Sequence, residues 1–94
     1  MTRLRRFVIE RDIPGFGAMS IVELCGAARA SNQALDKLGV GIQWQHSYVA
    51  GDKSFCVYLA SDEAVIRRHS ELSGIPVTNI TEITQVIDPL TANN

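Results

Sequence analysis

Apolar positions along this chain change period several times, and each change marks an element. Leu4 to Arg11 is rich in β-forming residues and reads as a first strand. Asp12 to Gly17 carries one Pro and two Gly and reads as a loop. From Ser20 the spacing becomes helical, with Ile21, Leu24, Cys25, Ala28, Leu35 and Leu38 on one stripe. Ser20 and Glu23 have the spacing of a capping box, and Gly39 supplies the C-terminal cap. Ile42 to Val49 is a second strand and Lys53 to Ala60 a third. Between them Gly51-Asp52 suits a type II′ turn, whose first central position needs a positive φ. Ser61 caps a second helix with an inner stripe of Val65, Ile66, His69 and Leu72. Glu63–Arg67 and Arg67–Glu71 form i,i+4 pairs on its wet face. Gly74 and Pro76 end that helix, Ile80 to Asp88 is a fourth strand, and residues 89–94 form a frayed tail.

The order β-α-β-β-α-β is the split βαβ pattern of a ferredoxin-like α+β sandwich. It predicts one domain over residues 1–94, with a four-stranded antiparallel sheet and both helices on one face. In strand three, Phe55, Val57 and Leu59 are uniformly apolar, which assigns them to the helix side and puts Cys56 and Tyr58 on the open side. An open sheet face carrying aromatic groups is a natural surface for a homodimer.

Ninety-four residues suffice for one compact domain, and a net charge of −1 gives no general footprint for nucleic acid. Arg3, Arg5 and Arg6 form a local basic cluster, read as a solvated strand edge. The apolar run after them stops at Glu10, so it is not a secretory signal, and no apolar run could span a membrane. The two cysteines lack zinc or redox spacing and read as reduced, buried thiols, which points to the cytoplasm.

Candidate chemistry concentrates in the hairpin from Ile42 to Ala60. It holds the one Trp (Trp44), both Tyr (Tyr48, Tyr58), His46 and Cys56. A neutral imidazole is a common ligand for borderline metals such as nickel and zinc; a packed histidine with one hydrogen bond is the other reading of His46. A two-residue turn sets His46 opposite Val57 and so under helix one. A three-residue loop sets Trp44, His46 and Tyr48 beside Cys56 and Tyr58 on the open side, since one residue of slip exchanges the faces. His69, on an apolar stripe, reads as a satisfied buried group. Were it a ligand together with His46, the site would cross a dimer interface. Cys56 is a soft ligand or a small core hydrophobe. Glu10, in a central strand, is an oxygen ligand or general base facing the open side, or an ion-pair partner of Arg6 or Arg68. Gly15-Phe16-Gly17 lacks phosphate-loop context and reads as a flexible loop.

Several stretches together resemble a small bacterial family that includes nickel-responsive, nickel-binding proteins of actinobacteria. They are Phe7-Val8-Ile9-Glu10-Arg11-Asp12-Ile13-Pro14-Gly15, Gly41-Ile42-Gln43-Trp44-Gln45-His46-Ser47-Tyr48-Val49, Cys56-Val57-Tyr58, Ile66-Arg67-Arg68-His69, Gly74-Ile75-Pro76 and Val86-Ile87-Asp88-Pro89. The chain departs from the family at Leu90 and at Gly51, where a polar or acidic residue is usual. The resemblance implies a ferredoxin-like dimer and points to nickel or another divalent transition metal. His46 and Glu10 are then ligands, with His69 and Cys56 as further candidates. A second reading is an enzyme of the dimeric α+β-barrel kind, with Trp44, Tyr48 and Tyr58 lining an open-face pocket for a small organic molecule. A third is an interaction module without small-molecule chemistry. No base sits at recognisable spacing from a nucleophile, so the metal-binding reading comes before the enzymatic one.

Overall fold

The computed structural model describes residues 3–94; Met1 and Thr2 of the expected domain lie outside the described residues. Strands β1 (Arg5–Asp12), β2 (Ile42–Ala50), β3 (Lys53–Ala60) and β4 (Asn79–Ile83) form one antiparallel sheet in the order β2-β3-β1-β4. Helices α1 (Ile21–Leu38) and α2 (Glu63–Ser73) follow β1 and β3, completing the ferredoxin-like order. No helix is long and apolar enough to cross a membrane among the described residues.

The local signals at the helix ends act largely as read. Ser20 Oγ accepts from the Glu23 N–H at 3.2 Å and Glu23 Oε1 accepts from the Ser20 N–H at 3.1 Å, closing the capping box of α1. Asp62, rather than Ser61, caps α2, its carboxylate accepting from the Val65 N–H at 2.9 Å. A carboxylate there also answers the positive end of the helix dipole. Of the two expected pairs on α2, Glu63–Arg67 forms, at 3.7 Å. β4 ends at Ile83, earlier than its apolar run. Asp88 instead caps a short 3-10 helix, Pro89–Asn93, in the segment expected to fray.

The hairpin turn is the two-residue Gly51-Asp52 kind, with Ala50 opposite Lys53. Gly51 has φ 59°, and no described non-glycine residue has positive φ, as type II′ requires. Register therefore sets His46 opposite Val57 and Tyr48 opposite Phe55.

The faces of β3 are the reverse of the expectation. Ser54, Cys56, Tyr58 and Ala60 are buried under the helices, whereas Phe55, Val57 and Leu59 are half-buried on the open side. Both sets are apolar enough to sit inside, so alternation alone could not choose between them. Phe7 and Ile9 from β1 join Cys56, Tyr58, Ile42, Val65 and Ile66 in the core. The α2 stripe is inward at Val65, Ile66 and His69, with half of Leu72 exposed. In α1 the buried face is turned from the predicted stripe: Ile21 and Cys25 are exposed, so Cys25 is a free surface thiol rather than a buried one.

Candidate functional site

Two places gather polar chemistry, one on each face of the sheet. On the open face His46 and Tyr48 follow one another along β2, with ring centroids 5.2 Å apart at an interplanar angle of 82°. His46 is exposed and Tyr48 is 61% exposed. Tyr48 opposes Phe55, which opposes Glu10 on β1. The Glu10 carboxylate accepts from Asn79 Nδ2 at 3.2 Å and lies 4.0 Å from Lys53 Nζ. Its ionic neighbour is thus Lys53, not Arg6 or Arg68. His46 and Glu10 share a face but have β3 between them, about 10 Å of sheet at ordinary strand spacing.

The other place is covered. The N-terminal half of α1 stands off the sheet and leaves a cavity of about 660 Å³. Trp44, Cys56 and Tyr58 form its floor, and Leu24, Ala27 and Ala28 its roof. Alanine side chains are too short to close that gap. Ile13, Phe16 and Met19 make one wall; Ile75 and Pro76 make another. The first wall is held in place. The Ile13 N–H donates to Asp52 O at 2.8 Å and the Gly17 N–H to Gly51 O at 2.6 Å. Asp52 also takes the Gly15 N–H on its carboxylate at 2.8 Å. The loop read as flexible is therefore pinned to the hairpin turn. A Cβ on Gly17 would meet the Gly51 backbone at 2.8 Å, so this close approach needs glycine.

A β-bulge between Trp44 and His46 decides which side chains of β2 reach the cavity. The extra residue, Gln45, breaks the alternation. It turns Trp44 and Ser47 under α1, joined by a Trp44 Nε1–Ser47 Oγ bond of 2.9 Å, while His46 stays outside. Of the predicted pocket residues, Trp44 and Tyr58 line a cavity on the helix side, and Tyr48 lies on the opposite face.

Arg11 forms the polar end of the cavity. Alternation with Phe7 and Ile9 carries it inward, where it is 2% exposed. Its Nη1 donates to the carbonyls of Ile75 and Pro76 at 3.2 and 3.0 Å. Its Nη2 is buried with no hydrogen-bond partner among the described residues. Close by, His69 Nε2 lies 3.1 Å from Ser31 Oγ and 3.2 Å from Ser31 O. A carbonyl only accepts, which assigns the ring proton to Nε2 and leaves Nδ1 as the orphaned lone pair. Burial pushes the His69 pKa down; the Ser31 carbonyl opposes this, and the Arg11 charge adds to it. His69 is a neutral imidazole, its ring 5.4 Å from that of Tyr58. Burial raises the Tyr58 pKa, partly offset by Ser31 and Arg11, so its hydroxyl keeps its proton.

The four metal-ligand candidates thus divide two and two. His46 and Glu10 are on the open face; Cys56 and His69 are buried on the other. His69 is fully buried, between the two helices and Tyr58. Among the described residues of one chain, no three His, Cys, Asp or Glu cluster as a metal site. Sequence reasoning placed Arg11 at a strand end and gave it no role. The signal available was its phase with Phe7 and Ile9. Ser31, four residues before Leu35 and three after Ala28, was likewise in phase with the helical stripe.

A family model described as nickel responsive protein SCO4226-like matches residues 7–83. The crystal structure of SCO4226 from Streptomyces coelicolor A3(2) superposes with a TM-score of 0.68 at 19% identity, covering 87% of this chain and 99% of that one. At that identity the likeness shows the fold. No curated protein matches the chain.

Proposed function

Because the chain belongs to the SCO4226-like family of nickel responsive proteins, we propose that it is a small cytoplasmic homodimer that binds a divalent transition metal, nickel first, in a responsive or buffering role. The observation that carries this reading is the placement of His46 and Glu10 on one accessible sheet face. His46 offers an imidazole nitrogen and Glu10 carboxyl oxygens, a donor pair suited to borderline divalent cations. Within one chain β3 separates them. In a face-to-face dimer the contacts are reciprocal, so His46 of one subunit can meet the partner subunit's Glu10, and the converse.

The surface supports such a dimer. Val8, Phe55, Val57 and Leu59 leave an apolar strip half-exposed along the sheet. Val86, Ile87 and Leu90, beyond β4, are 67–75% exposed. Burying these groups stabilises by roughly 25 cal/mol per Å² of apolar surface.

Mixing two variants tests the reading. His46→Ala and Glu10→Ala homodimers each lose tight Ni²⁺ binding. A heterodimer of the two keeps one intact His46–Glu10 pair and regains one site per dimer. If unfolding and refolding the variants together restores no binding, the shared site is wrong.

A further inference from the structure

The covered cavity is lined by a buried cation that no carboxylate among the described residues pairs with. Arg11 is the one cationic side chain among the cavity's lining residues, and a guanidinium stays charged at any pH the fold tolerates. Both Nη1 hydrogens are spent on the Ile75 and Pro76 carbonyls, while Nη2 is buried and has no partner among the described residues. The nearby acidic groups are engaged elsewhere. Glu10 and Asp12 lie with Lys53, and Glu23, at the cavity rim, holds the Ser20 N–H. A buried charge with an unmet donor calls for an anion, because pairing offsets its lost hydration.

We propose that the cavity beneath α1 binds an organic monocarboxylate, whose carboxylate is taken by Arg11 Nη2 and whose apolar body lies against Trp44, Leu24 and Phe16. Three features select this class. The volume, about 660 Å³, lies in the range of small-molecule sites. The lining is mostly apolar with Arg11 as its one cation, so the ligand is mostly apolar with one anionic group. A single cation with one unmet nitrogen matches one negative charge, and a phosphate dianion would bury a second charge without a partner. Tyr58, which keeps its proton, lines the same cavity and adds no second charge. The site is on the opposite side of the sheet from His46, so it does not depend on the metal reading.

Trp44 is the chain's one tryptophan and forms part of the cavity floor, so its fluorescence reports occupancy. The probes are 4-phenylbutyrate and octanoate, each set against its neutral amide, titrated into the full chain. Each acid should change the emission saturably and bind at least tenfold tighter than its amide. In Arg11→Gln that preference should vanish. Ala28→Phe fills the cavity from the roof with Arg11 in place and should abolish binding of both probes. Should Arg11→Gln fail to fold, the acid–amide ratio and Ala28→Phe decide. Equal binding of acid and amide overturns the proposal. So does the absence of saturable binding up to millimolar acid, or unchanged acid binding by Ala28→Phe.

Discussion

The two faces of this sheet are built from the same strands and carry different chemistry. Along β2, Trp44 and Ser47 point under α1 while His46 and Tyr48 point away from it, and a single bulge makes the division. The covered face hides a cation and a neutral histidine beside a cavity. The open face shows an imidazole and a carboxylate on an apolar strip. Chemistry that lies close together in the sequence is thus parted by the thickness of the sheet, and residues far apart, such as Arg11, Ser31 and His69, are brought together.

The two faces differ most in what they contribute to stability. Ile9 and Val8 are neighbours on β1, but Ile9 is fully buried and Val8 half-buried on the open side. Ile9→Ala should cost about 2–5 kcal/mol through lost burial and a residual cavity. Val8→Ala should cost less than about 1.5 kcal/mol in dilute protein. If the open faces pair, its cost grows with protein concentration, since association stabilises the folded state by mass action. Urea denaturation at two concentrations separates the cases. Equal costs for both substitutions would erase the distinction between faces.

Gly17→Ala should come next, at about 1–3 kcal/mol, because its Cβ would press on the Gly51 backbone. The thermal midpoint should drop, and the cavity should lose the wall formed by Phe16. Retention of the wild-type midpoint would show that the loop is not pinned as described.

His69 makes the covered face sensitive to acid. Its folded pKa lies below the ordinary value of 6.5. At higher pH both folded and unfolded chains hold it neutral, and the contribution is fully present. As pH falls below about 6.5 the unfolded chain takes up a proton that the folded one refuses, so stability declines until the folded pKa is reached. The slope is at most about 1.4 kcal/mol per pH unit. Subtracting the pH profile of His69→Gln from that of the wild type should isolate this decline. Parallel profiles between pH 5 and 7 would contradict a buried, neutral His69.

Gly26→Ala is the smallest change. Among the described residues nothing lies within 4 Å of the added Cβ in α1, so the substitution should stabilise by about 0.5–1 kcal/mol. Destabilisation there would mean that α1 sits closer to its surroundings than described.

Much of this architecture was legible in the sequence, because it rests on local rules. The capping box at Ser20, the Gly51-Asp52 turn and the extent of β3 follow from short-range chemistry. The choice of face did not follow. Phe55-Val57-Leu59 and Cys56-Tyr58-Ala60 are both apolar, and only packing against the helices decides between them. The bulge at Gln45 leaves no mark in composition, yet it separates His46 from Trp44. Arg11 was readable in principle by its phase with Phe7 and Ile9, but a charged residue on a core stripe goes against the usual rule. His46 stood out by residue type, and the structure places it where a second subunit or an ion can approach.

The open face is tested most directly by calorimetric titration of Ni²⁺ into chelator-stripped protein, comparing the wild type, His46→Ala and the cavity-filling Ala28→Phe. The wild type should bind one Ni²⁺ tightly per chain, His46→Ala at least tenfold more weakly, and Ala28→Phe as the wild type does. Wild-type affinity in His46→Ala would contradict a metal site at His46.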